Sequence, residues 1–405
     1  MRVRTQGLVR LREALDGPLL SVLLVTGLFR ASQNAAQTTL SLIGHEVLHY
    51  SPSLIGASAT VVGLTSAIAS IAIAGRLRPY QLKSGVISSL LLGAVSILLF
   101  YLASNLGEFL IASVLLGISG GLAMPTLATL STTSRRISPA RGVAAYTASL
   151  SASLALGPFY ETFLLKSTHE NSQLALLAFI PMPVVGVVLL ASFYRGVAEK
   201  RSGARAKVGA LKIRESAPIR LAISAQLLYQ APFVAVVAFG ALLAKYSFGT
   251  SSSTAQLGFT VFFVFSFSSR IVLLWKPDVL SPTTLLKTSS MLTIVGVVML
   301  ATTHGVALFM ISMAILGIPH GVTYPVSLAL LAKWTSPETR TRANAALSSV
   351  TSFVGVLLPL VLGLIAARFG YQTMIMVVLL PVLTLSVTVL RSSEEKLSRQ
   401  VVQPN

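Results

Sequence analysis

Long apolar runs separated by short polar breaks fill almost the whole chain. They fall near residues 18–42, 53–74, 84–104, 108–131, 142–165, 173–194, 219–244, 253–275, 284–303, 306–331, 343–367 and 371–390. As helix, each run spans the ~30 Å hydrocarbon core of a bilayer, where backbone N–H and C=O groups must be bonded within the segment. The pattern therefore predicts an all-α integral membrane protein with twelve transmembrane helices. Arg2, Arg4, Arg10 and Arg12 precede the first run as they would in a secretory signal. That run continues past the length of a signal core into a polar-striped stretch ending at Leu42, so an uncleaved helix is expected. The fifth run is rich in Ala, Ser and Gly, small residues that let membrane helices approach closely.

Charge placement tests the count. One side collects the N-terminal arginines, Arg76, Arg78, Lys83, Arg135, Arg136, Arg141, the run from Arg195 to Arg214, Lys276, Lys287, Lys333, Arg340, Arg342, Arg391, Lys396 and Arg399. The other side receives Lys166, Lys245 and Arg368. By the positive-inside rule, both termini and the central basic loop belong to the cytoplasm, and the expected location is the cytoplasmic (inner) membrane. The net charge of +19 in a chain 54% hydrophobic and 11% charged is thus an orientation signal. No nucleic-acid partner is expected, since the basic residues sit between apolar runs and form no soluble face. The absence of cysteine excludes disulfides and thiolate metal sites. No cofactor is implied.

The central loop divides the chain into 1–194, a basic linker at 195–217, and 218–405. A repeat relates the two parts: L-G-I-S-G-G-L-A-M-P at Leu116–Pro125 and L-G-I-P-H-G-V-T-Y-P at Leu316–Pro325. Both copies lead into a basic Ser-Pro loop, at Ser138 and Ser336, and then into an Ala-rich helix with a proline, Pro158 or Pro359. L-I-G at Leu54 and Q-L-G at Gln256 match near the start of each second helix. This parallel duplication of six helices, joined by a basic loop, resembles the major facilitator superfamily over nearly the full length. The resemblance implies two pseudo-symmetric six-helix bundles, a small-molecule substrate bound near the bilayer midplane between the halves, and alternating access. Departures from family motifs are specific. A-G-R-L-R-P-Y-Q-L-K at Ala74–Lys83 lacks the usual Asp, Ser113 stands where drug exporters often carry Arg, and only Gly157-Pro158 remains of the helix-five motif.

Charges at membrane mid-depth are costly, so each is a candidate. Arg30 lies near the middle of the first run with Gln33, Asn34 and Gln37 at i+3, i+4 and i+7, Thr26 a turn before and Ser41 a turn after, forming one polar stripe. The stripe is expected to face a wet cavity, with Arg30 contacting substrate; the alternative is a structural arginine held by neighbouring carbonyls and amides. Gln226, Tyr229 and Gln230 occupy the corresponding part of the seventh run. Arg270 either snorkels to the interface or turns inward, where two guanidiniums without a nearby acid would suit phosphate or carboxylate. His320 is either a packed histidine or a proton-coupling or substrate residue. A proton is a possible coupling ion, but no Asp or Glu stands at mid-depth. Glu161, about a turn from the outer end of the fifth run, is read as interfacial.

An organic or phosphate-type anion is the leading expected substrate, with efflux of hydrophobic compounds as the runner-up. His45-Glu46-Val47-Leu48-His49 matches H-E-x-x-H, a helical zinc signature needing a third ligand. His169, Glu170, Glu108 and His304 lie on the same side without a third-ligand motif, which makes a membrane zinc peptidase a remote third reading.

Overall fold

The computed structural model describes residues 17–134, 137–194, 217–276, 280–302, 304–335 and 337–393. The N-terminal arginines, Arg135, Arg136, the basic run from Arg195 to Arg214, Asp278, Lys396 and Arg399 lie outside them.

The helices are α1 Gly17–Leu42, α2 Pro52–Ala72, α3 Leu82–Leu102, α4 Leu106–Ser131, α5 Pro139–Ser167, α6 Ser172–Leu177, α7 Pro181–Phe193, α8 Ala217–Phe248, α9 Ser252–Trp275, α10 Pro282–Thr302, α11 Val306–Trp334 and α12 Pro337–Leu390. Their starts follow from local chemistry. α2, α5, α7, α10 and α12 open on proline, whose missing N–H costs nothing in a first turn. Asn105 caps α4 by accepting from the Glu108 N–H at 3.1 Å, while the Glu108 carboxylate returns to the Ser104 N–H at 2.8 Å. Inside the helices, hydroxyls donate one turn back in place of water, as Thr26 does to the Val22 carbonyl and Thr126 to the Leu122 carbonyl.

Nine helical stretches among the described residues are long and apolar enough to cross a bilayer. One of them, Ala346–Leu390, contains two crossings, because Gly370 leaves helical geometry at φ 82 inside α12. Another joins α6 and α7 across a turn before Pro181. α1 and α5 have the length but carry more polar residues, and counted with them the described residues offer twelve helical segments, in accord with the expected twelve. Large apolar side chains on outer faces remain exposed, as Leu91, Val95, Leu98 and Leu102 do along α3. Such stripes mark lipid contact.

The chain forms two compact units, one of Met1–Ile43 and Val61–Ser202, the other of Gly44–Thr60 and Gly203–Asn405. Phe29, Val86, Leu90, Leu127, Tyr146 and Leu190 belong to the core of the first. Within each unit the sequence repeat has the same physical meaning. A Cβ on Gly117 would overlap the Val62 carbonyl of α2, and one on Gly121 the Ser66 carbonyl. In the second unit, Gly317 and Gly321 of α11 meet the Phe262 and Ser266 carbonyls of α9 in the same way. Each repeated glycine pair thus sits at a helix crossing too close for any side chain.

Candidate functional site

In the first unit, the polar stripe on α1 lies along the helix as its spacing requires. Gln33 and Asn34 are buried, and Arg30 and Gln37 are partly buried. Gln33 directs its amide into the space left by the missing side chain of Gly120 on α4. Gln33 Oε1 and Asn34 Nδ2 are buried polar atoms without a hydrogen-bond partner among the described residues. The titratable group with which Arg30 interacts is the Tyr146 hydroxyl of α5, itself hydrogen bonded to the Met124 carbonyl at 3.0 Å. No carboxylate among the described residues neutralises Arg30.

α5 lies parallel to α1. The Ser149 hydroxyl donates to the Leu23 carbonyl at 2.7 Å, Gly157 abuts Ala31, and Glu161 reaches Thr38 and Thr39. The distance of Glu161 from the end of the run suggests an interfacial side chain open to its surroundings, but Glu161 is enclosed by protein. It is 0% exposed, because α5 continues to Ser167 and presses that face against α1.

The second unit gathers an aromatic cluster around His320. Phe233 of α8 stacks on the imidazole with centroids 4.6 Å apart and planes 15° from parallel. Phe262 and Phe263 of α9 lie 5.3 Å and 5.7 Å from it, and Tyr229 of α8 lies 5.6 Å away. Arg270 of α9 turns toward α11, where its Nη2 donates to the His320 carbonyl at 3.4 Å, and it interacts with Tyr229 electrostatically. Gln226 is buried with Oε1 unpartnered among the described residues, and Gln230 points at Gly355 of α12. Tyr229, Arg270 and His320 are thus brought together, while Gln226 and Gln230 extend along α8 from them.

Phe233, Phe262 and Phe263 are not marked by polar or charged character, so a search for intramembrane charge passes over them. A signal for Phe233 is nonetheless present in the repeat offset. Phe233 matches Gln33 and His320 matches Gly120, so the place where the first unit seats an amide in a glycine gap holds a ring stack in the second.

The H-E-x-x-H segment is not one α-helical face. α1 ends at Leu42, Ile43–Val47 is a π-helical turn, and His49 has φ 55. Glu46 pairs with Lys245 at 2.6 Å, His45 packs edge-on against Tyr246 at 4.8 Å, and His45 Nδ1 lies 3.0 Å from the Tyr50 carbonyl. No group of three or more His, Asp or Glu suited to a metal occurs among the described residues.

The sequence matches the Major Facilitator Superfamily twice, over residues 22–244 and 221–404. No curated protein matches it by sequence. Among solved structures it is similar to the nucleoside transporter NupG, with TM-score 0.73, 14% identity and coverage of 93% of this chain and 99% of that one. It is also similar to a bacterial homologue of the human lysosomal transporter Spinster in an inward-facing, occupied conformation, with TM-score 0.73, 12% identity and coverage of 96% and 98%. A third is the human organic anion transporter MFSD10, with TM-score 0.61, 14% identity and coverage of 92% and 99%. At these identities the likeness is one of fold.

Proposed function

Because this chain belongs to the major facilitator superfamily and is a multi-pass secondary transporter of a small solute, we propose that its cargo is an organic or phosphate-type anion, moved across the cytoplasmic membrane by alternating access. The observation that supports this is Arg30, a guanidinium in the middle of a membrane helix with no carboxylate to neutralise it among the described residues. An anionic ligand supplies the missing charge, and the planar fork of arginine suits carboxylate or phosphate oxygens. Gln33, Asn34 and Gln37 orient the same ligand, with two buried amide atoms already desolvated and unpartnered among the described residues. In the second unit, Gln226, Tyr229, Gln230, Arg270 and His320 are the candidate contacts for cargo. Organic anions are the stated cargo of the MFSD10 transporter, which accords with the assignment.

Both termini lie in the cytoplasm by the distribution of Lys and Arg, and the functional halves are 1–194 and 218–405, joined by the basic linker 195–217. The test is flux. In proteoliposomes the wild type exchanges a panel of carboxylates and organic phosphates, whereas Arg30→Gln inserts normally and exchanges none. Wild-type anion flux by that variant removes the assignment.

The cluster of Phe233, Phe262, Phe263, Tyr229 and His320 favours a second reading, efflux of hydrophobic compounds, since stacked rings adapt to apolar cargo. Thermal-shift screening against phosphate, carboxylates, sugars and cationic drugs separates the two by the class that stabilises the protein.

A further inference from the structure

Glu161 is buried completely, and its polar contacts among the described residues are two hydroxyls of α1. Their hydrogens are not equally at its disposal. Thr39 donates to Oε1. Thr38 has one hydrogen and three acceptors in reach: the Asn34 carbonyl at 3.1 Å, the Ala35 carbonyl at 3.2 Å and Glu161 Oε2 at 3.4 Å. The helix carbonyls are nearer, so the Thr38 hydrogen is shared among three acceptors, and Oε2 receives the longest of its contacts. A carboxylate with about four acceptor sites is left with one committed donor. A fully buried carboxylate so sparsely bonded needs a positive charge on its remaining lone pairs.

No side chain among the described residues bonds to Glu161 with that charge. α1 brings Thr38 and Thr39, and its nearest cation, Arg30, is eight residues back, about 12 Å along the helix axis. α6 carries no titratable residue, the Glu108 carboxylate of α4 is bonded at Ser104, and Lys166 of α5 is exposed. We infer that Glu161, Thr38 and Thr39 form a monovalent-cation site, with the carboxylate and hydroxyl oxygens holding either a proton on Oε2 shared with Thr38 or a sodium ion ligated by oxygen. Proton and sodium share this chemistry, since each cancels one charge and bridges oxygens. The site gives the transporter a place to couple solute movement to a cation gradient. It rests on the chain being a secondary transporter, and not on the cargo being an anion.

The experiment needs no cargo. Purified full-length protein in detergent is melted across pH 5 to 9, in sodium chloride and in choline chloride at equal ionic strength, with Glu161→Gln alongside. A proton site makes the wild type lose stability as pH rises, equally in both salts, by an increment absent from Glu161→Gln. A sodium site gives a saturable rise in melting temperature with sodium that Glu161→Gln lacks. If neither cation changes the wild type, or if Glu161→Gln keeps the same dependence, the site does not exist. Should that variant fail to fold, Thr39→Val serves. It displaces the pH midpoint or weakens the sodium response about tenfold or more, and an unchanged titration overturns the proposal. Failure here leaves the Arg30 flux experiment untouched, so the two outcomes are read separately.

Discussion

The Glu46 carboxylate meets the Lys245 ammonium at 2.6 Å, joining the segment after α1 to the end of α8 within the second unit. The same carboxylate is the residue that a zinc peptidase would use as its general base. The ion pair explains its presence without catalysis: it fastens the turn beyond α1, with His45 seated against Tyr246. Both side chains are partly exposed, at 29% for Lys245 and 17% for Glu46, so the pair is expected to contribute about 0.2–1 kcal/mol and to weaken with salt. A double-mutant cycle with Glu46→Gln and Lys245→Met, measured by denaturation in detergent at two salt concentrations, checks that value. His45→Ala is expected to leave flux in place and to remove no peptidase activity.

Arg30→Lys provides a finer test of the anion assignment than Arg30→Gln. A point charge keeps attraction but loses the two-pronged geometry. Lysine is therefore expected to restore part of the anion-induced thermal shift that glutamine abolishes, with affinity reduced about tenfold, equivalent to ~1.4 kcal/mol. Titration of the two variants with the stabilising anion decides it.

The repeated glycines predict matched behaviour in the two units. Gly121→Leu and Gly321→Leu each drive a side chain into a carbonyl, that of Ser66 or Ser266, and the helix crossing must open. Each substitution is expected to cost at least the ~1–3 kcal/mol typical of overpacking, read as lower melting temperature and yield. Leucine at exposed Val95 on α3 is the control and is expected to be silent.

His320 and Phe233 are stacked closely enough for their coupling to be measured. Single and double alanine substitutions are expected to show an interaction of about 0.5–1.5 kcal/mol in stability. If the rings also contact cargo, His320→Ala raises the concentration of ligand needed for half-maximal thermal shift, while Phe369→Ala, on an exposed side chain of α12, does not.

Much of the fold is legible along the chain. Residues 108–131 read as a span, and α4 is Leu106–Ser131; the break between the last two runs falls at Gly370, where the helix departs from its geometry. The repeat at Leu116 and Leu316 was legible as a duplication, whereas the close helix crossings made by its glycines were not readable. Glu161 shows where the reading stops. Its distance from the helix end suggested an interface, whereas its burial depends on which face of α5 meets α1.

Hydropathy, taken residue by residue, was enough to predict the membrane spans, the repeat their duplication, and charge their expected sides. In a hydrocarbon solvent each backbone group must be bonded within its own helix, and each basic loop is sorted near its own span, so these outcomes depend on local composition. Which polar groups meet was decided only in three dimensions. The rotation of α5 on α1 brings Glu161 to Thr38 and Thr39, and the contact of α8 with α11 lays Phe233 on His320. Those rotations are set by side-chain fit between helices distant in sequence, with α11 held to α9 by glycine contacts that no periodicity along one helix can encode.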